Sequence, residues 1–194
     1  MNPRSQLCDA REWTAKSLDD IGRWPGGATP SKGNPGFWKN GQVLWVTPKD
    51  VRGATVVETA DKLTDSGARL LNWYHAGSLI VVGRSGILRH TLPVAIVSHP
   101  FTVNQDLKVL VPHESDDTIH HFVLHSLLNR EHELLGKLVK AGTTVESIDW
   151  TTFGTVRISW PPRCERKRIC EILETADVAI RNTAQEVSKL RFLR

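Results

Sequence analysis

The side chains best suited to polar recognition gather between two strand-like runs. Arg84, Ser85, Arg89 and His90 occupy the loop that runs from Gly83 to His90. Asn104, Gln105 and Lys108 follow the second run, and Thr29, Ser31, Lys32 and Lys49 lie upstream. Arg, Lys, Asn and Gln on loops are the groups that read base edges in a major groove. Thr, Ser and Lys are the groups that hold phosphate oxygens. Residues 23–108 carry ten basic and five acidic side chains, interleaved with Trp24, Phe37, Trp38, Trp45, Trp73, Tyr74 and Phe101. A basic, aromatic-rich segment suits a polyanion. Each group also has a plainer reading. Asn104-Gln105-Asp106 is a capped turn, Thr29–Lys32 a surface turn, and one of Arg84 and Arg89 a structural ion pair.

Other chemistries fail on their details. Gly26-Gly27-Ala28-Thr29-Pro30-Ser31-Lys32 is no phosphate loop, because Ser31 precedes the Lys and Pro30 removes a donor. Asn34-Pro35-Gly36-Phe37 lacks the second Pro of an amino-methyltransferase signature, and no glycine-rich loop supplies a methyl-donor site. Asp149, Glu165 and Lys167 mimic a nuclease metal site, but the Glu-x-Lys opens a helix instead of lying on an apolar strand. His120, His121, His125 and His132 cluster, and the last three fit one helical face; Phe122 stands where a metalloprotease helix would carry its Glu. A solvated face of titrating imidazoles is the simpler expectation. No catalytic residue, metal or cofactor is therefore assigned.

The elements that must position these groups follow from pattern. Turn formers crowd Pro25 to Gly41. Strands are expected at Gln42–Val46, Ala54–Thr59, Ser78–Val82, Val94–Ser98, Leu107–Val111 and Thr155–Trp160, from short apolar or β-branched runs. Asp61–Leu71 reads as a short helix broken at Gly67. Asp116 or Asp117 caps a helix from Thr118, carried by Phe122, Val123, Leu127, Leu134, Leu135, Leu138 and Val139, with Gly142 as its stop. From Pro162 onward there is no Gly and no further Pro. Ile169, Leu173, Ala176, Ile180, Thr183, Val187 and Leu190 alternate spacings of four and three, the a/d pattern of a dimerisation or docking helix. Glu165 lies at its positive end, and Lys189, Arg191 and Arg194 at its negative end. The fold class expected is α+β: a mostly β body, then a long coiled-coil-type helix.

Composition is that of a globular chain: 194 residues, 40% hydrophobic, 24% charged, formal net charge +4. Disorder and a disulfide framework are excluded, since Cys8, Cys164 and Cys170 include no Cys-x-x-Cys pair; a reducing, cytoplasmic setting is expected. The apolar runs are too short to span a bilayer, and Met1–Leu18 is not a signal peptide.

Several stretches together resemble the specificity subunit of type I restriction-modification systems. They are Trp13–Leu18 with Asp20-Ile21-Gly22 as an opening strand, Gly27–Ser31, Asn34-Pro35 with Phe37-Trp38, and Val43–Asp50. Further on come Gly77–Ile80 through Arg84–Leu88, Asn104–Lys108, Gly142–Val145 with Ile148, and Pro161-Pro162-x-x-Glu165 with Ile169. The resemblance implies a target recognition domain over 1–160 and a spacer and dimerisation helix over 161–194, without catalysis. Family members usually hold two such domains and two antiparallel helices. With a single copy of each, this chain looks like a half-size subunit. The partners implied are double-stranded DNA, a methyltransferase (modification) subunit, a restriction/translocase subunit where present, and a second copy through the helix. The function expected is recognition of half of a bipartite DNA site. The alternatives are a small magnesium-dependent DNA nuclease and a non-catalytic dimeric interaction module.

Overall fold

The computed structural model describes residues 12–140 and 145–192, and side chains within that range except at 181, 184, 185, 188 and 190–192. The expectations placed on Cys8, on Gly142 to Thr144 and on Arg194 lie outside it, as do those on the side chains of Leu190 and Arg191. The architecture is α+β, with mixed sheets and a long C-terminal helix. The chain divides into two compact units, residues 16–158 and residues 1–15 with 159–194.

The core of the larger unit is built on two sheets. One has the strand order Thr55–Val56, Val94–Val97, Leu79–Val82, Leu107–Val109. The other has the order Lys62–Leu63, Val43–Val46, Phe101–Val103. Val43–Val46, Leu79–Val82 and Val94–Val97 are buried at every position, which is why they read as unbroken apolar runs and not as alternating ones. Leu44, Val46, Ile80, Val82, Val97, Phe101 and Val109 share one hydrophobic cluster. All six expected strand regions contain strands; five are trimmed at their ends, and Leu107–Val111 is split into Leu107–Val109 and Val111–Pro112, which lie in different sheets. Phe101–Val103 and Lys62–Leu63 escape pattern reading because they are only three and two residues long.

Two helical expectations are corrected. Asp61–Leu71 instead holds the strand Lys62–Leu63 and a single turn, Asp65–Ala68, capped by the Thr64 hydroxyl, which accepts from Gly67 N at 3.2 Å. The stretch from Thr118 is two helices, Ile119–Asn129 and Glu131–Leu138, followed by the strand Val139–Lys140. The break is at Arg130, whose backbone leaves the helical region (φ −115°, ψ 16°), and the side chains of Arg130 and Glu131 are both engaged. Arg130 donates to both Glu133 oxygens, at 2.9 and 2.7 Å, and to the Arg157 carbonyl at 2.7 Å. Glu131 accepts from Leu92 N at 2.7 Å and from the Thr91 hydroxyl. The expected cap is corrected too: Thr118 is the N-cap and no side chain caps the helix, while Asp116 closes the turn just before it, accepting from Thr118 N at 2.9 Å and from its hydroxyl at 2.7 Å.

In the smaller unit the helix Arg163–Phe192 follows Pro162, whose carbonyl accepts from Glu165 N and Arg166 N. Glu165 accepts from Trp13 Nε1 at 2.9 Å, and Thr14 donates to the Trp160 carbonyl at 3.3 Å. Arg166 is buried, donating to the Pro161 carbonyl and lying 4.3 Å from the Trp160 ring. Farther along, Ile172 (60%), Ile180 (66%) and Val187 (44%) stand exposed on the helix. Among the described residues no helix is long and apolar enough to cross a membrane.

His120 departs from the solvated face expected of the histidines, and His132 lies beyond the break, on the other helix. The His120 Nδ1 accepts from Leu79 N at 3.2 Å, so the neutral tautomer helps to terminate the sheet. Burial, aided by neighbouring His121, pushes its pKa down to about 4. The unfolded chain takes up this proton near pH 6.5, whereas the folded chain refuses it until about pH 4. The contribution to stability is therefore full above the unfolded value and is lost as pH falls toward 4. Denaturant unfolding at stepped pH is expected to show a loss of up to about 3 kcal/mol from this group. His120→Gln, which keeps an acceptor, flattens that pH dependence; an identical pH profile in the variant contradicts the assignment.

Candidate nucleic-acid interface

Strand register gathers several of the predicted site loops at one end of the larger unit's sheets. Val81 pairs with Val94 and Val82 with Leu107, so the loop after Val82 and the turn before Leu107 emerge together. Gly83 N donates to the Asp106 carbonyl at 2.7 Å. Val46 lies parallel to Val103, and Asn104 N donates to the Val46 carbonyl at 3.0 Å, bringing the Thr47–Val51 turn to the same end. Gly27 N donates to the Asn104 carbonyl at 3.3 Å, which adds the segment leading to Lys32. That approach requires glycine, because a Cβ at position 27 would lie 1.8 Å from the Val103 carbonyl oxygen.

An open groove of about 860 Å³ runs across this end. Lys32, Lys49, Arg52, Asp61, Ser85 and Ile87 are among its lining residues. The Lys32 Nζ sits 3.6 Å from the Trp38 ring centre and 4.6 Å from that of Trp45, a cation–π arrangement that aims the side chain. The two indoles meet edge to face, and their N–H groups donate to Ser31 and Ala28 carbonyls at 3.0 and 3.1 Å. Lys49 is carried on a turn fixed by Asp50, which accepts from Thr47 N at 2.9 Å and from its hydroxyl at 2.7 Å. Asp61 joins the two lysines, at 3.4 Å from Lys32 and 3.2 Å from Lys49. Partial burial raises its pKa, but hydrogen bonds from Lys49 and Lys32 outweigh that and hold it below the usual carboxylate value. With three cations and one carboxylate, the wall carries a net positive charge suited to a phosphate backbone.

The remaining predicted residues divide by commitment. Thr29 donates to the Gln105 side-chain carbonyl at 2.8 Å, and both are exposed. Arg84 and His90 are exposed on the loop. Ser85 caps the short 3₁₀ turn Gly86–Arg89. Arg89 is ion-paired to Glu146. Asn104 is buried, giving its amide N–H to Asp106 and taking Asp106 N at 3.0 Å each, which is the capped turn weighed above. Lys108 lies apart from the groove, 5.7 Å from the Trp150 ring centre, in a smaller cleft with Arg23, Trp24 and His113. Asn34 caps the 3₁₀ turn Pro35–Phe37, accepting from Gly36 N at 3.0 Å, which accounts for the motif there. Asp149 is an N-cap for Trp150–Gly154 and is paired to Lys140 at 2.8 Å; hydrogen bonds from Lys140 and Thr152 bring its pKa down to about 2. Among the described residues no group of three or more His, Cys, Asp or Glu is arranged to hold a metal ion. Arg52 and Asp61 were not singled out from the sequence; the only signal for Arg52 was its place in the basic segment.

The sequence model of the type I restriction modification DNA specificity domain matches residues 10–191, and the chain belongs to that family. It is 37% identical over 171 residues to the EcoR124I/EcoR124II specificity subunit of Escherichia coli, covering 86% of this chain and 41% of that protein. It is 24% identical over 181 residues to the MjaIX specificity subunit of Methanocaldococcus jannaschii, covering 91% and 40%. The chain thus spans less than half the length of these relatives. Its fold is similar to that of the type I restriction-modification S subunit from M. genitalium, with a TM-score of 0.63 at 17% identity over 95% of this chain and 44% of that one. The HsdS subunit from Thermoanaerobacter tengcongensis gives 0.63 at 16% identity over 93% and 41%.

One local constraint in the interface is open to direct test. A Cβ at Gly83 would lie 2.2 Å from Trp150 Cζ2, and Trp150 is itself held edge to face against Phe153 at 5.0 Å. Gly83→Ala is expected to destabilise the fold by about 1–3 kcal/mol through overpacking, measured by denaturant unfolding. A change below about 0.5 kcal/mol, the range of ordinary surface substitutions, means that the indole is not fixed there.

Proposed function

We propose that this chain is a non-catalytic DNA-specificity element that reads one half of a bipartite site and positions methyltransferase subunits on it. The observation that carries this reading is one cationic groove lined by Lys32, Lys49, Arg52, Ser85 and Ile87 from three separate segments, with Thr29, three residues before Lys32, bonded to Gln105, in a member of a DNA specificity family. Lys32, Lys49 and Arg52 would take phosphates, and Arg84, Ser85, His90 and Gln105 base edges. Residues 1–160 then act as the target recognition domain and residues 161–194 as the spacer. The exposed Ile172, Ile180 and Val187 suit pairing of the helix with a second copy or with another such helix, as in a coiled coil. Two heads joined in that way would read an interrupted, symmetric site. A restriction/translocase subunit would join the complex where the system has one. The setting is the cytoplasm, where the DNA and these subunits meet.

The nuclease alternative is disfavoured because Asp149 is already engaged by Lys140, Thr151 and Thr152, and Glu165 by Trp13. A bare interaction module leaves the groove's cations without a role. The test is co-expression with a type I methyltransferase subunit, followed by mapping of methylated adenines across a plasmid. The expected result is a two-part motif with a fixed gap. Methylation at no defined sequence, or magnesium-dependent cleavage by the purified chain that is lost in Glu165→Ala, contradicts it.

A further inference from the structure

Arg89 looks like a DNA contact by type and loop position, but its partner lies inside the protein. Its Nε is paired with Glu146, a residue only 8% exposed. Among the described residues, Glu146 Oε2 is the only buried side-chain oxygen or nitrogen without a hydrogen-bond partner. A neighbouring cation favours the charged form of a partly desolvated carboxylate. The hydrogen bond from Arg89 is the largest influence on it, and its pKa is lowered.

The contact is one of several along the same seam. The Glu146 carbonyl accepts from Ser85 N at 3.1 Å, Ser147 bridges to Arg84, and Ile148 N donates to the Gly83 carbonyl at 2.8 Å. Trp150 closes over Gly83. The segment 146–150 therefore grips the loop at positions 83, 84, 85 and 89. Ser85 and Ile87 of that loop form one side of the cationic groove.

We propose that Glu146 is a positioning residue for base discrimination, acting through Arg89 and Ser85 to hold the Gly83–His90 loop in one conformation. The inference rests on the proposed reading that this end of the protein reads DNA. Phosphate affinity follows the number of cations that reach the backbone, whereas discrimination between sequences needs groups held in register with base edges. A loosened loop keeps the first and loses the second. Arg89 is then a strut, not a DNA contact.

The test compares the full chain with Glu146→Gln, Arg89→Gln and the double variant, on the target duplex found by methylation mapping and on an unrelated duplex of equal length. Each single variant is expected to lower the target-to-unrelated affinity ratio about tenfold, with no further fall in the double, because the two side chains act as a unit. Affinity for the unrelated duplex and its salt slope stay unchanged, and the Ser85 amide exchanges faster in both single variants. The opposite pattern overturns the proposal: Glu146→Gln tightens binding to both duplexes, while Arg89→Gln weakens both and makes the salt slope shallower by about one. That pattern makes Arg89 a backbone contact restrained by Glu146. Should the unmodified chain fail to discriminate at all, the DNA reading fails by itself. Ser85 exchange then decides the clamp: faster exchange in the variants upholds it and unchanged exchange overturns it.

Discussion

The pairing of the strand Leu79–Val82 with both of its neighbours is the constraint on which the rest of the larger unit depends. Its four residues are fully buried, so a slip of one residue would send every side chain to the opposite face of a closed core. That register fixes where Gly83 leaves the sheet and where Leu107 enters it. The parallel pairing of Val43–Val46 with Phe101–Val103 ties the second sheet to the same end. Loops distant in sequence thus become neighbours through burial of apolar runs that carry no recognition chemistry themselves. Within the smaller unit the helix Arg163–Phe192 carries Arg166 buried in its first turn over Trp160 and exposes Ile172 and Ile180 farther along.

Charge in the interface is organised in two ways. Lys32 and Lys49 share Asp61 at the exposed groove wall, where ion pairs are weak and readily exchanged for phosphate. Arg89, itself exposed, instead pairs with Glu146, whose mostly buried carboxylate loses its cation if Arg89 is removed. Cations of the same type thereby serve different ends according to the burial of their partner. Aromatic rings also set Lys32: Trp38 and Trp45 support its ammonium beside the Asp61 carboxylate that it shares with Lys49.

Much of the fold was legible because it rests on local pattern. Four-residue β-branched runs such as Val94–Val97 and the glycine-free C-terminal helix declare themselves from composition alone. What escaped depends on distant partners. The helix from Thr118 keeps its apolar spacing through Leu134 and Leu138, yet it breaks at Arg130, where the Arg130 and Glu131 side chains bond to Arg157 and Leu92, 27 and 39 residues away. Lys32, Lys49 and Ser85 could be nominated from type and loop context. Asp61 and Glu146 could not, since the first gains its role from lysines 12 and 29 residues away and the second from an arginine 57 residues away. The two readings offered for Asn104-Gln105-Asp106 are divided within the turn itself: Asn104 and Asp106 form the capped turn, while Gln105 stays exposed beside Thr29.

The DNA-facing surface proposed for this chain is one end of the larger unit's sheets. Lysine footprinting tests it most directly, by reductive methylation of the chain with and without its target duplex and residue-level readout by mass spectrometry. Lys32 and Lys49 are predicted to lose reactivity on binding, while Lys137, exposed on the helix Glu131–Leu138, keeps it. Protection of Lys137 with Lys32 and Lys49 still fully reactive would place the duplex elsewhere and contradict the account.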